Sequence, residues 1–118
     1  MKPVDVIIIG SSGHAAEITD YIIHENRKYH LNRYNIIGYL DELEDTYRKY
    51  PYDKPYLGTV SEHSINQDVY YIMAIANLKY KKPIISDFLE KGANFLSYIH
   101  PDTYISDSCS IGKGVVIA

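Results

Sequence analysis

Three features that mark common protein classes are scarce in this chain. It has a single cysteine, Cys109, which excludes an internal disulfide and favours a reducing compartment such as the cytoplasm. The net charge is −3 and no basic block occurs, which argues against a nucleic-acid partner. Apolar runs are far shorter than the roughly 18 residues of a membrane span. Because Asp5 also interrupts the first run, neither a membrane protein nor a secretory signal is predicted.

The residues that are present describe a small globular domain. With 118 residues, 46% of them apolar, the chain is long enough for one hydrophobic core and hardly for two. Most of its 13 tyrosines are expected to pack half buried with their hydroxyls in water. No cysteine or carboxylate lies at a metal-ligand spacing from His24, His30 or His63, so these histidines are interpreted as surface residues and no metal is predicted.

Strand and helix patterns alternate along the chain. The β-branched run VDVIIIG (4–10) predicts a buried parallel strand, and the apolar spacing of Ala15, Ile18 and Ile22 predicts a helix from His14 to about Asn26. Further strands are predicted at YNIIGYLDE (34–42), VYYIMAIA (69–76) and NFLSYI (94–99), and a second long helix at KYKKPIISDFLEKG (79–92). This alternation predicts an α/β fold with a parallel sheet of about four strands. The first strand should be central, with the second on one side and the third on the other.

Two stretches between these elements carry weaker signals. Residues 41–57 are charged, rich in tyrosine and broken by Pro51 and Pro55, so we expect a loop there, mobile and without regular structure. The segment SEHS suggests a short helix capped by Ser61.

The last residues follow a different period. Ile105, Ile111 and Ile117 recur every six residues, a spacing typical of a parallel β-helix in which three hexads, about 18 residues, complete one coil. We therefore divide the chain into a sheet domain, 1–99, and a linker with incomplete hexad repeats, 100–118. Because no further coil covers them, residues 103–118 are expected to be disordered, to fold back on the sheet or to pair with another copy.

Polar and glycine-rich segments follow three of the predicted strands. The loop Gly10–His14 follows the first, Asp41 the second and Asn77 the third. In an open parallel sheet these carboxyl ends meet at one edge, where ligands bind. Backbone N–H groups at the start of the first helix would suit a phosphate. Asp41 would accept from a ribose or base, and Asn77 would both donate and accept.

Each of these residues also has a purely structural interpretation. The glycine pair would equally serve tight packing between strand and helix, Asp41 would be an ordinary loop residue, and Asn77 a helix cap. His14 alone would be a solvated residue at a helix start, and Cys109 a packing residue of the hexad repeat. The predicted convergence of the three segments is what favours a binding site.

Five segments in order resemble the left-handed β-helix sugar acyltransferases, a family that includes sialic acid O-acetyltransferase-like proteins and bacterial enzymes that N-acetylate UDP-4-amino sugars. These segments are VIIIGSSGHAAEITDYI, GYLDE, PYLGTV, IMAIAN and YIHPDTYISDSCSIGKGVVIA. The resemblance implies a Rossmann-like N-terminal domain that binds a nucleotide sugar. It also implies a trimeric hexapeptide-repeat β-helix that binds acetyl-CoA between subunits and supplies a histidine as general base.

Carried over by position, the resemblance implies binding roles for eight residues and none of them catalytic. They are Gly10, Ser11, Ser12, Gly13, His14, Asp41, Asn77 and Lys81. His100 and Pro101 match the linker into the β-helix. Ala76 stands where the family usually has glycine, which puts affinity and sugar preference in question. The catalytic histidine and the acetyl-CoA site would lie beyond Ala118, so the chain alone is expected to bind without transferring an acyl group, as a monomer or weak dimer.

Three functions compete at this point. The first is a nucleotide-sugar-binding domain, for a UDP-linked sugar or, in the sialic acid branch, a CMP-linked or free sugar, in an acetyl-CoA-dependent O- or N-acetyltransferase of bacterial surface-glycan biosynthesis. The second is a non-catalytic nucleotide-binding or regulatory module. The third, a dinucleotide-dependent oxidoreductase, is disfavoured because the middle glycine of G-x-G-x-x-G is absent and Asp41 comes too late after Gly10.

Overall fold

A central parallel sheet organises the molecule. The computed structural model describes residues 2–99, 101 and 116–117. The sheet has five strands in the order β3-β2-β1-β4-β5, all pairs parallel. The strands are β1 (Val4–Ile9), β2 (Tyr34–Leu40), β3 (Tyr56–Gly58), β4 (Tyr70–Met73) and β5 (Asn94–Phe95). The predicted α/β, Rossmann-like fold is confirmed, with β1 at the centre between β2 and β4.

Helices cover both faces of the sheet. They are α1 (Gly13–Tyr29), α2 (Glu44–Arg48) and α3 (Leu78–Glu90). Along β1, Val6 and Ile8 enter a core that includes Ile18 of α1, whereas Ile7 and Ile9 enter a second core. That second core includes Phe88 of α3. Because alternate side chains of a strand point to opposite faces, the unbroken apolar run of β1 over residues 6–9 needs a helix on each side.

The prediction for residues 41–57 was wrong in part. This segment contains α2 and β3, and β3 adds a fifth strand beside β2. Tyr39 donates its backbone N–H to the Pro55 carbonyl at 3.1 Å, and Asp41 donates to the Gly58 carbonyl at 3.1 Å. The fit to β2 is close, because a Cβ added at Gly38 would lie 2.4 Å from the Leu57 side chain. Three-residue strands carry no readable alternation, so the pattern did not indicate one.

The predicted short helix at Ser61 was also wrong, because residues 60–62 form a turn. The Glu42 carboxylate accepts from the Ser61 backbone N–H at 2.7 Å and from its hydroxyl at 3.0 Å. Thr59 caps the turn by accepting from the Glu62 backbone N–H at 3.2 Å. Ser61 therefore donates its hydrogen bonds to Glu42, which follows β2, and does not begin a helix.

The predicted fourth strand, 94–99, divides into two. Its first half is β5, and its second half, β6 (Tyr98–Ile99), pairs in parallel with β7 (Val116–Ile117) in a separate sheet. Tyr98 pairs with Val116 and Ile99 with Ile117, so each partner lies 18 residues further along, the length expected for one coil of three hexads.

Several sequence predictions fall outside the described residues. They concern His100, Cys109, and the remaining hexad positions Ile105 and Ile111. The division at residue 100 into two domains therefore stays a prediction. In the part of the chain that is described, no helix is both long and apolar enough to cross a bilayer.

Candidate functional site

A cleft of about 570 Å³ opens where β1, β2 and β4 end. Its polar lining comes from Gly10 and Ser12 after β1, Asp41 after β2, and Asn77 after β4. The prediction that these three distant segments meet along one edge of the sheet is confirmed. The reversal in strand order lies beside β1, so the cleft occupies the position where open parallel sheets bind ligands.

Gly10 is required by the close approach of two strand ends. Its φ is +100°, a region that favours glycine, and an added Cβ would lie 3.0 Å from the Ile75 side chain and 3.1 Å from the Ala74 carbonyl oxygen. Its backbone N–H donates to the Leu40 carbonyl at 2.6 Å. The sharp turn after β1 therefore depends on the absence of a side chain at this position.

Asp41 holds the loop that follows Gly10. Its Oδ2 accepts from the Ser11 backbone N–H at 3.0 Å and from the Ser11 hydroxyl at 2.8 Å, while Oδ1 accepts from the Leu43 backbone N–H at 3.1 Å. Ser11 is fully buried and does not line the cleft. Both residues were predicted as ligand contacts, and the structure pairs them with each other. Asp41 still reaches the cleft, whereas Ser11 supports it from beneath.

Two tyrosines, which the sequence analysis did not identify, donate hydrogen bonds to the loop after Gly10 and to Asp41. Tyr52 donates its hydroxyl to the Ser11 carbonyl at 2.8 Å and to the Ser12 carbonyl at 3.2 Å. Tyr56 donates to the Asp41 carbonyl at 2.8 Å. Burial raises the pKa of both phenols above the ordinary tyrosine value.

These phenols belong to a cluster of rings packed on the end of β2. Tyr39 and Tyr52 have centroids 4.1 Å apart, and Tyr47 stacks on Tyr52 at 5.4 Å. Tyr50 and Tyr56 extend the cluster. Burial raises the pKa of Tyr39 to about 12. The density of tyrosine in residues 41–57 was the available signal, and its meaning is packing against the loop, not mobility.

The start of α1 presents unused polar groups at the cleft. Ser12 is the N-cap residue, is exposed, and makes no capping bond with its side chain. No acidic residue occurs in the first turn. Backbone N–H groups in the first turn of a helix have no intrahelical partner, and the helix dipole adds partial positive charge there. This part of the cleft therefore suits an anion.

Asn77 caps a helix and also lines the cleft, so it meets both interpretations considered for it. It is the N-cap of α3, and its Oδ1 accepts from the Lys79 backbone N–H at 3.0 Å. The amide nitrogen makes no bond to the described residues in addition, so a donor remains at the cleft. Ala76, the departure from the family pattern, lines the same wall.

Besides Ser11, three predicted site residues do not line the cleft. Gly13 lies beside Tyr50, whose hydroxyl would be 3.4 Å from an added Cβ. The Nδ1 of His14 lies 3.8 Å from a Glu17 carboxylate oxygen on the outside of α1. Lys81 follows the cleft wall on α3 without joining it. Ligand contacts by these residues, as by the others, stay predictions.

The remaining wall of the cleft is mostly apolar. Leu43, Val60, Ile75, Tyr80 and Ile84 line it, together with Glu42 and Thr46. The Glu42 carboxylate is occupied by Ser61, as described above. One cleft thus combines the N-cap residue of α1 with an apolar wall and a carboxylate, Asp41, that accepts hydrogen bonds.

Other possible sites are less informative. A second groove of about 570 Å³ lies between α1 and residues 50–54, with Ile36 and Tyr39 on its floor. It contains none of the residues predicted to bind ligand. Across the ranges that the structure describes, no group of three or more His, Cys, Asp or Glu side chains is arranged to hold a metal ion.

Comparison with known proteins gives one result that covers this site. A search of curated proteins finds no match. The family model of the PglD N-terminal domain matches residues 5–88, a span that includes every strand end bordering the cleft. PglD is an acetyltransferase with a hexapeptide β-helix. Because the match covers well over half of the chain and agrees with the five-stranded parallel sheet, the protein belongs to the PglD N-terminal domain family.

Proposed function

We propose that this domain binds a nucleotide sugar, in its UDP-linked form, and presents it for acetylation. The activity is that of an acetyl-CoA-dependent sugar O- or N-acetyltransferase that makes bacterial surface glycans in the cytoplasm. The observation that carries the proposal is the convergence of Gly10, Asp41 and Asn77 on one cleft beside the open start of α1.

The cleft offers a partner for each part of a nucleotide diphosphate. The diphosphate lies at the start of α1, where backbone N–H groups and the Ser12 hydroxyl donate to it. The Asn77 amide nitrogen donates to the same group or to the sugar. Asp41 accepts from the ribose or the base, because its Oδ1 has capacity beyond its bond to Leu43.

We assign acetyl transfer to a part of the enzyme other than the sheet domain. No described residue is assigned to the acetyl donor or to proton transfer, and we assign acetyl-CoA and trimer formation to the hexapeptide β-helix of the family. The 18-residue offset between β6 and β7 supports a β-helix coil directly after the sheet domain.

A charge introduced at Ser12 tests the phosphate assignment. Aspartate is as good an N-cap as serine, so Ser12→Asp leaves α1 intact, but its carboxylate repels a phosphate at the helix start. We expect its Kd for UDP to rise by about 10-fold or more, while the neutral cap Ser12→Asn binds within a few-fold of wild type. Asp41→Ala is less selective, because it also releases Ser11.

Calorimetric titration with UDP, CMP, NAD and acetyl-CoA tests the wider proposal. The expected result is one UDP site per chain that Ser12→Asp weakens. Absence of UDP binding would contradict the proposal. Preference for NAD would favour the oxidoreductase alternative, and acetyl-CoA binding in this cleft would contradict the separation of the two substrates.

A further inference from the structure

The apolar face of α3 continues past the core and over the cleft. Tyr80, Ile84 and Phe88 are four residues apart, so they lie on one face of the helix. Phe88 is 1% exposed in the core and Ile84 is partly buried, but Tyr80 is 58% exposed. Both Tyr80 and Ile84 line the cleft. The helix therefore holds a largely exposed aromatic side chain at the cleft, with the Lys79 ammonium 5.9 Å from its ring centroid.

A second exposed apolar side chain reaches the cleft from the other side of β1. Leu43 follows β2, whereas Tyr80 follows β4, and these two strands flank β1. Leu43 is 65% exposed, more than any other large apolar side chain described. Its backbone N–H donates to Asp41 Oδ1 at 3.1 Å. The same carboxylate that holds the Ser11 loop thus also fixes the backbone at Leu43.

From this arrangement we propose that Leu43 and Tyr80 form a clamp for the base of the bound nucleotide, and so determine how strongly the base contributes to binding. The inference rests on the proposed function. A planar ring between an aliphatic and an aromatic side chain buries apolar area on both faces. The neighbouring Asp41 carboxylate accepts from N–H groups at the edge of the ring, while the phosphates extend toward Ser12.

Comparing ligands with and without a base tests the clamp. UDP and inorganic pyrophosphate are titrated into wild type, Tyr80→Ala, Tyr80→Phe and Leu43→Ala. We expect Tyr80→Ala to weaken UDP binding by about 10-fold, within the range for a base stacked on an aromatic side chain. Tyr80→Phe keeps the ring and binds like wild type, Leu43→Ala loses a few-fold, and pyrophosphate binding is equal in all four proteins.

Leu89→Ala is the matched control. Leu89 lies on α3 outside the cleft and is 50% exposed, so this substitution removes an exposed leucine of the same helix. The variant is expected to bind UDP like wild type. Saturation-transfer NMR supplies a second measurement, in which the uracil protons of bound UDP receive magnetisation from the protein and lose most of it in Tyr80→Ala.

The outcomes separate the clamp from the proposed function. If wild type binds UDP and Tyr80→Ala binds it equally well, the clamp is overturned while nucleotide binding stands. If pyrophosphate and UDP lose affinity together in Tyr80→Ala, the side chain supports the phosphate site and the clamp is again overturned. If wild type binds no UDP, both ideas fail.

Discussion

The two ends of α1 differ in how their polar side chains are buried and paired. At its start, Ser12 is exposed, makes no capping bond with its own side chain, and lines the cleft. Near its other end, the Glu25 carboxylate is fully buried. It accepts from the Arg33 guanidinium at 2.9 and 2.8 Å and from the Tyr98 hydroxyl at 2.7 Å. One helix therefore carries an open end and a sealed end.

This difference suggests that the buried end of α1 serves stability, whereas the exposed end is the one proposed to bind ligand. Buried polar groups with complete partners hold elements together, and removing one partner leaves the others unsatisfied. Here the sealed end joins α1 to the start of β2 and to β6. The Glu25 carboxylate raises the pKa of Arg33, and burial together with Glu25 raises the pKa of Tyr98. At the open end, among the residues that the structure describes, the Ser12 side chain makes no capping hydrogen bond.

The largest effect is expected at the sealed end. Arg33→Met keeps the length of the side chain but leaves Glu25 buried without its cation, which typically costs about 3 kcal/mol or more. Urea unfolding should show this loss, while the UDP affinity of the folded protein stays unchanged. Tyr98→Phe removes one bond to the same carboxylate and should cost about 1.5 kcal/mol. If Arg33→Met were as stable as wild type, the buried end of α1 would not contribute to stability and the contrast between the two ends would fail.

A substitution at Gly10 should affect both stability and binding. Gly10→Ala places a Cβ at φ +100° and 3.0 Å from Ile75, for which we expect a loss of about 2 kcal/mol together with weakened UDP binding. Gly58→Ala is the matched control, because φ there is +119° but no atom lies within 4 Å of the added Cβ. Equal stability losses in the two variants would show that crowding at the cleft contributes nothing.

Loop support at the open end should have a smaller effect. Tyr52→Phe removes the hydroxyl that donates to Ser11 and Ser12, which should cost about 1 kcal/mol in unfolding free energy and a few-fold in UDP affinity. Tyr47→Phe makes the same chemical change in the same ring cluster, where the hydroxyl donates to the Lys54 carbonyl at 2.5 Å. Its UDP affinity should equal that of wild type, so similar binding losses in both would contradict specific loop support.

The smallest effect is expected at His63, a half-buried residue that lies against Tyr71. His63 Nε2 lies within hydrogen-bond distance of the Tyr71 hydroxyl, at 2.7 Å, and the same hydroxyl accepts from the Asn66 backbone N–H. Burial lowers the pKa of His63 below 6.5. The unfolded chain then binds the proton more readily, so stability is complete above about pH 6.5 and declines as the pH falls through the folded-state pKa.

Thermal unfolding between pH 7.5 and 5 measures this decline. His63→Asn should lower stability at pH 7.5 but flatten its dependence on pH below 6.5. His30→Asn is the control, since His30 has φ 54° at the end of α1, a conformation that asparagine tolerates. An unchanged pH dependence in His63→Asn would assign the acid sensitivity to other groups.

Much of this architecture was predictable from local patterns. The apolar run over residues 6–9 of β1 requires cover on both faces, and the helical spacings in α1 and α3 supply it. This arrangement sets the strand order and brings Gly10, Asp41 and Asn77 to one edge. The short strand β3 was not predictable because its three residues pair only once β2 offers them an edge. Residues 94–99 showed one apolar pattern, although they divide between two sheets.

The sequence by itself determined the parallel sheet, its central strand and the edge at which a ligand would bind, because periodicity and chain order are local information. Only the tertiary structure decided which side chains line the cleft at that edge. Asp41 meets Ser11 across 30 residues and Tyr52 reaches the same loop across 41, so two residues expected at the ligand became partners of each other. Hydrogen bonds between segments so far apart depend on packing that no local pattern encodes.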